Sequence, residues 1–176
     1  MKSPPILTLA KHPSPLGPMW SRWTERGLFQ LDWDQPDFVT PSDDDCSADV
    51  EALSAKLQSF FASGRADFNS IVLDPVDWTE FTIKIYEHCR RIESGQTRTY
   101  KELASAAGNS AASRAVGAAM SRNRVLLVIP CHRVVSANGN LRGFSAPGGL
   151  STKRCLLELE RDGKWPTDLF AFGSGG

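Results

Sequence analysis

The chain has 176 residues, 41% of them hydrophobic, enough for one large or two small cored domains. No apolar run approaches the ~18 residues of a membrane helix, and the proline-broken start MKSPPILTLAKHPSP lacks the form of a signal peptide, so a cytoplasmic or nucleoid location is expected. The formal net charge is zero, but residues 84–164 carry 14 Lys/Arg against 6 Asp/Glu while the rest carries 6 against 14, so an acidic part is joined to a basic part suited to phosphate.

Residues 1–76 read as a small α+β unit. MWSRW and LFQLDW flank Thr24-Glu25-Arg26-Gly27, the pattern of a hairpin. Phe29, Leu31 and Trp33 alternate with Gln30 and Asp32, as in a half-buried strand. The acidic, proline-bearing segment 34–47 reads as a loop. Residues 48–61 place Val50, Leu53, Leu57 and Phe60 on one helical face, and Ser70–Leu73 reads as a third strand. Asp74–Trp78 reads as a linker, which puts the domain boundary at 76/77.

The second unit, 77–165, opens with a helix carrying Phe81, Ile85, Cys89 and Ile92 at helical spacing and ending at Gly95. Thr99-Tyr100-Lys101-Glu102 is a capping box, and its helix should stop at Gly108. A second helix, about 111–122, capped by Asn109 or Ser110, completes a helix-turn-helix. It is rich in Ala and Gly, with Arg114 as its one long internal side chain. Val125–Ile129 reads as a buried strand or extended run. Asn138-Gly139 turns a wing-like hairpin between 133–135 and 141–144. A final helix covers about 151–160, and 166–176, ending GSGG, reads as a flexible tail.

The four cysteines, Cys46, Cys89, Cys131 and Cys155, include no CxxC pair. Neither a disulfide framework nor a zinc site is expected. A thiol reacts as the thiolate, which positive surroundings favour. Cys131 lies in IPCHRVV beside His132 and Arg133, Cys46 in an aspartate-rich loop, and Cys89 and Cys155 in helical patterns. Cys131 is therefore the candidate nucleophile. On an extended strand adjacent side chains diverge, so Cys131 and His132 can cooperate only through a bend, which Pro130 permits, or through a water. A third group to orient the imidazole is not identifiable from these residues, and a catalytic pair and a buried structural thiol both remain open.

IPCHRVV, preceded by SRAVGAAMSRN and followed by GNLRGFSAPGGLSTKRCLLELE, resembles the O6-alkylguanine-DNA alkyltransferases (methylated-DNA–protein-cysteine methyltransferases). The resemblance is strong over about 77–163 and includes TRTYKELA; before that it rests on SPLGPMW and ERGLFQL. It implies an α+β fold: an N-terminal ribonuclease-H-like antiparallel sheet with a helix, then a C-terminal winged helix-turn-helix domain carrying the nucleophile. It also implies a protein that flips O6-alkylguanine out of duplex DNA and takes the alkyl group irreversibly onto Cys131; a monomer without cofactor is expected, and the structural zinc of some members has no clear ligands here.

The implied roles follow the motif. His132 activates Cys131 through water and Glu160 orients the imidazole, although by itself Glu160 reads as an exposed helix-end residue. Asn123 braces the active-site turn. Tyr100 crowds the target phosphate and donates to the departing guanine, and Arg114 fills the gap left by the flipped base. The carbonyls of Cys131 and Val134 read the guanine amino group, with Ser145 near its O6. Lys101, Asn109 and Arg133 are further candidate DNA contacts.

The chain departs from the family pattern in four places. Phe144 replaces a common tyrosine, GFSAPGG is longer than the usual loop, Arg124 replaces a proline after Asn123, and Cys155 replaces a frequent tryptophan. Competing readings are a lesion-recognition module without transfer, a winged-helix regulator with a sensor cysteine, and a Cys-His hydrolase.

Overall fold

The computed structural model describes residues 4–36 and 47–166. Cys46, most of the acidic loop and the GSGG tail lie outside them. Three antiparallel strands in the order β1 (Thr8–His12), β2 (Met19–Thr24) and β3 (Gly27–Asp32) form the N-terminal sheet. The Thr24–Gly27 turn is present, with Gly27 at φ 129, a backbone state closed to most side chains. A register shift between Arg22 and Trp23 changes which face β3 buries: Leu28, Leu31 and Trp33 are buried, whereas Phe29 is not. The expected strict alternation thus fails at a bulge, which inserts one residue and re-aims those beyond it. Ser70–Leu73 is not a strand; it supplies an isolated bridge from Leu73 to Leu28. Asp74 is not linker-like either. It is buried, accepts a 2.6 Å hydrogen bond from Thr24 Oγ1, and donates its own backbone N–H to Leu28 O.

Helix α1 (Ala48–Ser63) starts at Ser47, whose hydroxyl accepts from Val50 N, and buries Val50, Leu53, Leu57, Phe60 and Phe61. It ends at Gly64 in the left-handed region, φ 71, a Gly-capped terminus. A Cβ on Gly64 would collide with the backbone of Leu159 and Glu160. The end of α1 therefore sets how closely the last helix approaches. Gly64→Ala combines a disfavoured φ with overpacking, and is expected to cost about 2–4 kcal/mol, measured as a lower urea midpoint with unchanged slope.

Helix α2 (Glu80–Arg90) is capped by Thr79 and buries Ile85, Tyr86 and Cys89. It stops at Arg90, short of the Gly95 expected to end it. After β4 (Arg98–Thr99), α3 (Tyr100–Ala106) begins with both halves of the capping box formed: Thr99 Oγ1 accepts from Glu102 N, and the Glu102 carboxylate accepts from Thr99 N. Helix α4 spans Ser113–Ser121 with Ala112 at its N-cap and no capping side chain. It begins later than expected because Asn109 Oδ1 instead accepts from Ala111 N within the turn, a local bond that competes with helix. Tyr86 donates to Ala119 O at 2.7 Å, fixing α4 on α2.

Val125–Ile129 is a tight buried turn rather than a strand. Ile129 N donates to Val125 O, and Leu127 takes a φ of 69. One turn of 3-10 helix (Cys131–Arg133) follows, then β5 (Val134–Val135), which pairs in parallel with β4. The wing is reduced to its turn: Gly139 N donates to Ser136 O and Ser136 N to Asn140 O, but 141–144 form no strand. Helix α5 (Leu150–Asp162) closes the fold and ends at Gly163. One hydrophobic cluster joins the sheet, α1 to α5 and the 125–134 segment. No described helix is long and apolar enough to cross a membrane.

Candidate active site

Asn123 builds the turn that presents the cysteine. Its Nδ2 donates to Ile129 O and its Oδ1 accepts from Val125 N, both at 2.9 Å. These bonds close the Val125–Ile129 turn from inside, so the carboxamide is buried yet satisfied. Pro130 follows at φ −78, ψ 64 and turns the chain into the 3-10 turn. The alternation of an extended strand is thereby lost, which removes the geometric objection to Cys131 and His132 acting together. Cys131 is 4% exposed and His132 is fully buried.

Glu160, from the last turns of α5, is buried rather than exposed. Its Oε1 lies 2.7 Å from His132 Nε2 and accepts from Arg133 Nη2 at 2.8 Å and Nε at 3.0 Å; its Oε2 accepts from Gly95 N at 3.0 Å. Arg133 is held further by Ser94 Oγ and the carbonyl of Ile92. This corrects the reading of Arg133 as a DNA contact. At 6% exposure, with its guanidinium spent on Glu160 and backbone, it cannot reach a phosphate. It neutralises the buried carboxylate instead, in the forked geometry that suits Arg.

The electrostatics assign the protons. Burial pulls the Glu160 carboxyl upward, but hydrogen bonds and charge from His132 and Arg133 outweigh it and bring the carboxyl down to about 2. Burial pushes His132 below its ordinary value against the pull of Glu160. The resting imidazole is therefore neutral, and a carboxylate that can only accept fixes the proton on Nε2. Nδ1 is left as the basic nitrogen, buried with no hydrogen-bond partner among the described residues. Burial also raises the Cys131 thiol, opposed by a hydrogen bond from the Asn123 side chain and by the charge of Lys153. The resting pair is thiol and imidazole, both uncharged.

Residue-level reading missed Lys153. Its side chain is fully buried, and Nζ donates to Val134 O at 2.7 Å and Arg142 O at 3.0 Å. It ties the 3-10 turn to the start of the 142–149 loop. The signal was present in spacing alone: Lys153, Leu156 and Glu160 stand at i, i+3 and i+7 on α5, so two charges share the buried face. Val134 is buried in β5, and its carbonyl accepts from Lys153 Nζ.

The remaining candidates sit outside this buried core. Tyr100, the first residue of α3, is half-buried with its hydroxyl 3.5 Å from Arg142 O, and burial, with a lesser push from a negative charge on Cys131, raises that hydroxyl above its ordinary value. Ser145 is exposed, its Oγ 3.4 Å from Ser121 O. Phe144 lies edge-on to His132 with ring centroids 6.4 Å apart, opposite Phe60 at 6.3 Å. Lys101, Arg114 and Asn109 are exposed on α3, α4 and their connection, respectively.

A family model described as "6-O-methylguanine DNA methyltransferase, DNA binding domain" matches residues 80–162. A methylated-DNA–protein-cysteine methyltransferase of Methanosarcina acetivorans is 37% identical over 150 residues, covering 84% of this chain and 94% of that protein. The one from Sulfurisphaera tokodaii is 38% identical over 158 residues, 88% of this chain and 94% of that protein. Among solved structures, Mycobacterium tuberculosis OGT in complex with DNA superposes with a TM-score of 0.76 at 32% identity, over 94% of this chain and 99% of that one. With Cys131 and His132 adjacent in one buried 3-10 turn, Glu160 bonded to the imidazole, and these relatives matched over most of their length, the chain belongs to the methylated-DNA–protein-cysteine methyltransferase family.

Proposed function

We propose that this protein repairs DNA by moving the alkyl group of O6-alkylguanine in a duplex onto Cys131, once per molecule. The observation that carries the reading is the 2.7 Å contact between His132 Nε2 and the Glu160 carboxylate with Nδ1 buried and unpartnered among the described residues, an arrangement that favours the proton on Nε2 and leaves Nδ1 as base for the neighbouring thiol. A bridging water relays the Cys131 proton to Nδ1. The thiolate attacks the alkyl carbon, the S–C bond forms, and the C–O6 bond breaks with its electron pair passing to guanine. Tyr100, kept protonated by burial, donates a hydrogen bond to the purine as that charge develops. The imidazolium formed is stabilised by Glu160. The thioether is not hydrolysed, so turnover ends there.

A stacked base cannot offer its alkyl carbon in line, so the guanine must leave the helix. The exposed Arg114, on a helix of small residues, is placed to fill the vacated stack, with Lys101 and Asn109 beside it and Val134 O and Ser145 reading the base. The N-terminal unit, 1–76, serves as scaffold for the 77–165 unit. The protein acts as a cytoplasmic monomer.

Intact-protein mass spectrometry after mixing with a duplex holding one O6-methylguanine tests this. A single gain of roughly 14 Da mapped to Cys131 is expected from methyl transfer to sulfur. Tight lesion binding with no gain would make the chain a recognition module. Arg114→Ala is expected to slow repair of duplex DNA by about 10–100-fold, the loss of a few kcal/mol offsetting unstacking, while changing the rate with free O6-benzylguanine less than twofold. Equal slowing of both substrates would remove Arg114 from base extrusion.

A further inference from the structure

Arg124 stands where the family pattern carries proline, directly after Asn123, and the structure gives it an unusual set of contacts. Its Nε donates to Phe29 O at 2.7 Å, and one terminal nitrogen donates to Asp74 O at 3.0 Å and Val76 O at 2.8 Å. The guanidinium lies 4.2 Å from the Phe29 ring centroid and 5.0 Å from that of Trp78, within range of a cation–π contact. Its backbone carbonyl accepts from Leu31 N at 2.8 Å, and Leu126 N donates to Leu31 O. Strand β3, the Asp74–Val76 segment and the Asn123 turn are thus fastened at one side chain.

We propose that Arg124 is a positioning residue for alkyl transfer: by anchoring the Asn123–Val125 backbone to β3 and Asp74–Val76, it holds the Asn123 carboxamide in the turn that presents Cys131. Asn123 has two duties: it closes the Val125–Ile129 turn through Val125 N and the Ile129 carbonyl, which also accepts from Cys131 N, and its amide opposes burial in setting the acidity of the thiol. Both depend on the backbone entering that turn at a fixed angle. Proline would fix the angle through its own ring. This chain obtains the same restraint from outside, through a planar fork that meets three carbonyls and two aromatic faces. The consequence is specific to this sequence: the N-terminal sheet tunes the nucleophile.

The inference rests on Cys131 being the acceptor, and Cys131→Ser in the same assay reports on that assumption separately. The probe is the single-turnover rate with free O6-benzylguanine from pH 5.5 to 9.5. Besides His132, the titratable groups facing Cys131 are Tyr86 and Cys89 from α2, Tyr100 from α3 and Lys153 from α5. Arg124 itself faces Asp74, Asp77 and Tyr86. The Ala and Pro variants remove the charge of Arg124 from beside Tyr86, whereas Arg124→Lys keeps it.

Arg124→Ala is expected to lower the rate at pH 7 roughly three- to tenfold and to move the profile toward alkaline pH, because a thiolate that loses a hydrogen bond is harder to form. Duplex affinity should stay within twofold. Arg124→Pro should recover at least half of the rate, Asn123→Ala should show the same alkaline move, and Asn123→Ala with Arg124→Ala should move it no further. A protein of lower Tm with unchanged rate and profile would overturn the proposal, leaving Arg124 a structural clamp only. Additive effects with Asn123→Ala, or no recovery in folded Arg124→Pro, would overturn it equally. Should Arg124→Ala fail to fold, Arg124→Lys, which keeps the cation and loses the fork, carries the same expected and opposing results.

Discussion

Cys131→Ser is expected to abolish methyl transfer while leaving DNA binding intact. The hydroxyl is smaller but fits the same 3-10 turn, so packing changes little and stability should move by about 1 kcal/mol or less. Chemistry changes far more. Sulfur is a soft nucleophile whose proton a neutral imidazole can accept, whereas a serine hydroxyl is a much weaker acid, and burial with 4% exposure raises it further. Loss of the nucleophile from an interdependent relay costs on the order of 10⁴-fold or more. The exposed surface proposed to meet DNA, with Arg114 and Lys101, is untouched, so lesion affinity should remain within about twofold. The control is Cys155→Ser. Cys155 lies on α5, its thiol raised by burial and by Glu158, and its loss should leave the 14 Da gain in place. Transfer above background in Cys131→Ser, or loss of transfer in folded Cys155→Ser, would move the acceptor elsewhere.

What the sequence disclosed and what it concealed divide along a physical line. Features written in local chemistry were legible. The Thr99–Glu102 capping box, the Thr24–Gly27 turn and the stripe of Val50, Leu53, Leu57 and Phe60 each depend on residues within a few positions of one another, and each forms as expected. The family resemblance supplied Glu160 and Asn123, whose partners lie 28 and 6 positions away. Residues alone would have left Glu160 on the surface. Features that depend on three-dimensional register were not legible. The Arg22/Trp23 bulge re-aims β3, and nothing in its composition announces it. Val125–Ile129 has the look of a strand because it is wholly apolar, but Asn123 folds it into a turn from both ends. Apolar runs of this length do not distinguish strand from any other buried backbone. Arg133 was the instructive error: a basic residue beside a nucleophile suggests phosphate, and only the position of Glu160 shows where its charge is spent.

That carboxylate carries the second large effect. Glu160→Gln is expected to destabilise the fold by about 3–5 kcal/mol at pH 7, the usual cost of leaving one member of a buried ion pair alone. Arg133 would stay charged, buried and without its anion. The dependence on pH identifies the cause. The Glu160 carboxyl is depressed to about 2 from an ordinary 4.5. A group depressed by folding contributes stability that is fully present above its unfolded value and lost as the pH falls through its folded value. The wild type should therefore lose on the order of 3 kcal/mol from this group between about pH 4.5 and 2. Glutamine has no proton to take up, so this part of the acid limb should vanish in the variant, and the two stability curves should converge at low pH. Urea unfolding at several pH values measures it. Transfer should fall by about 10²–10⁴-fold in folded Glu160→Gln: an amide oxygen still accepts from Nε2, but no longer stabilises the imidazolium that forms when Nδ1 takes the thiol proton. An unchanged acid limb in the variant would mean that Glu160 is not the group that titrates. An unchanged transfer rate would mean that His132 needs no carboxylate behind it.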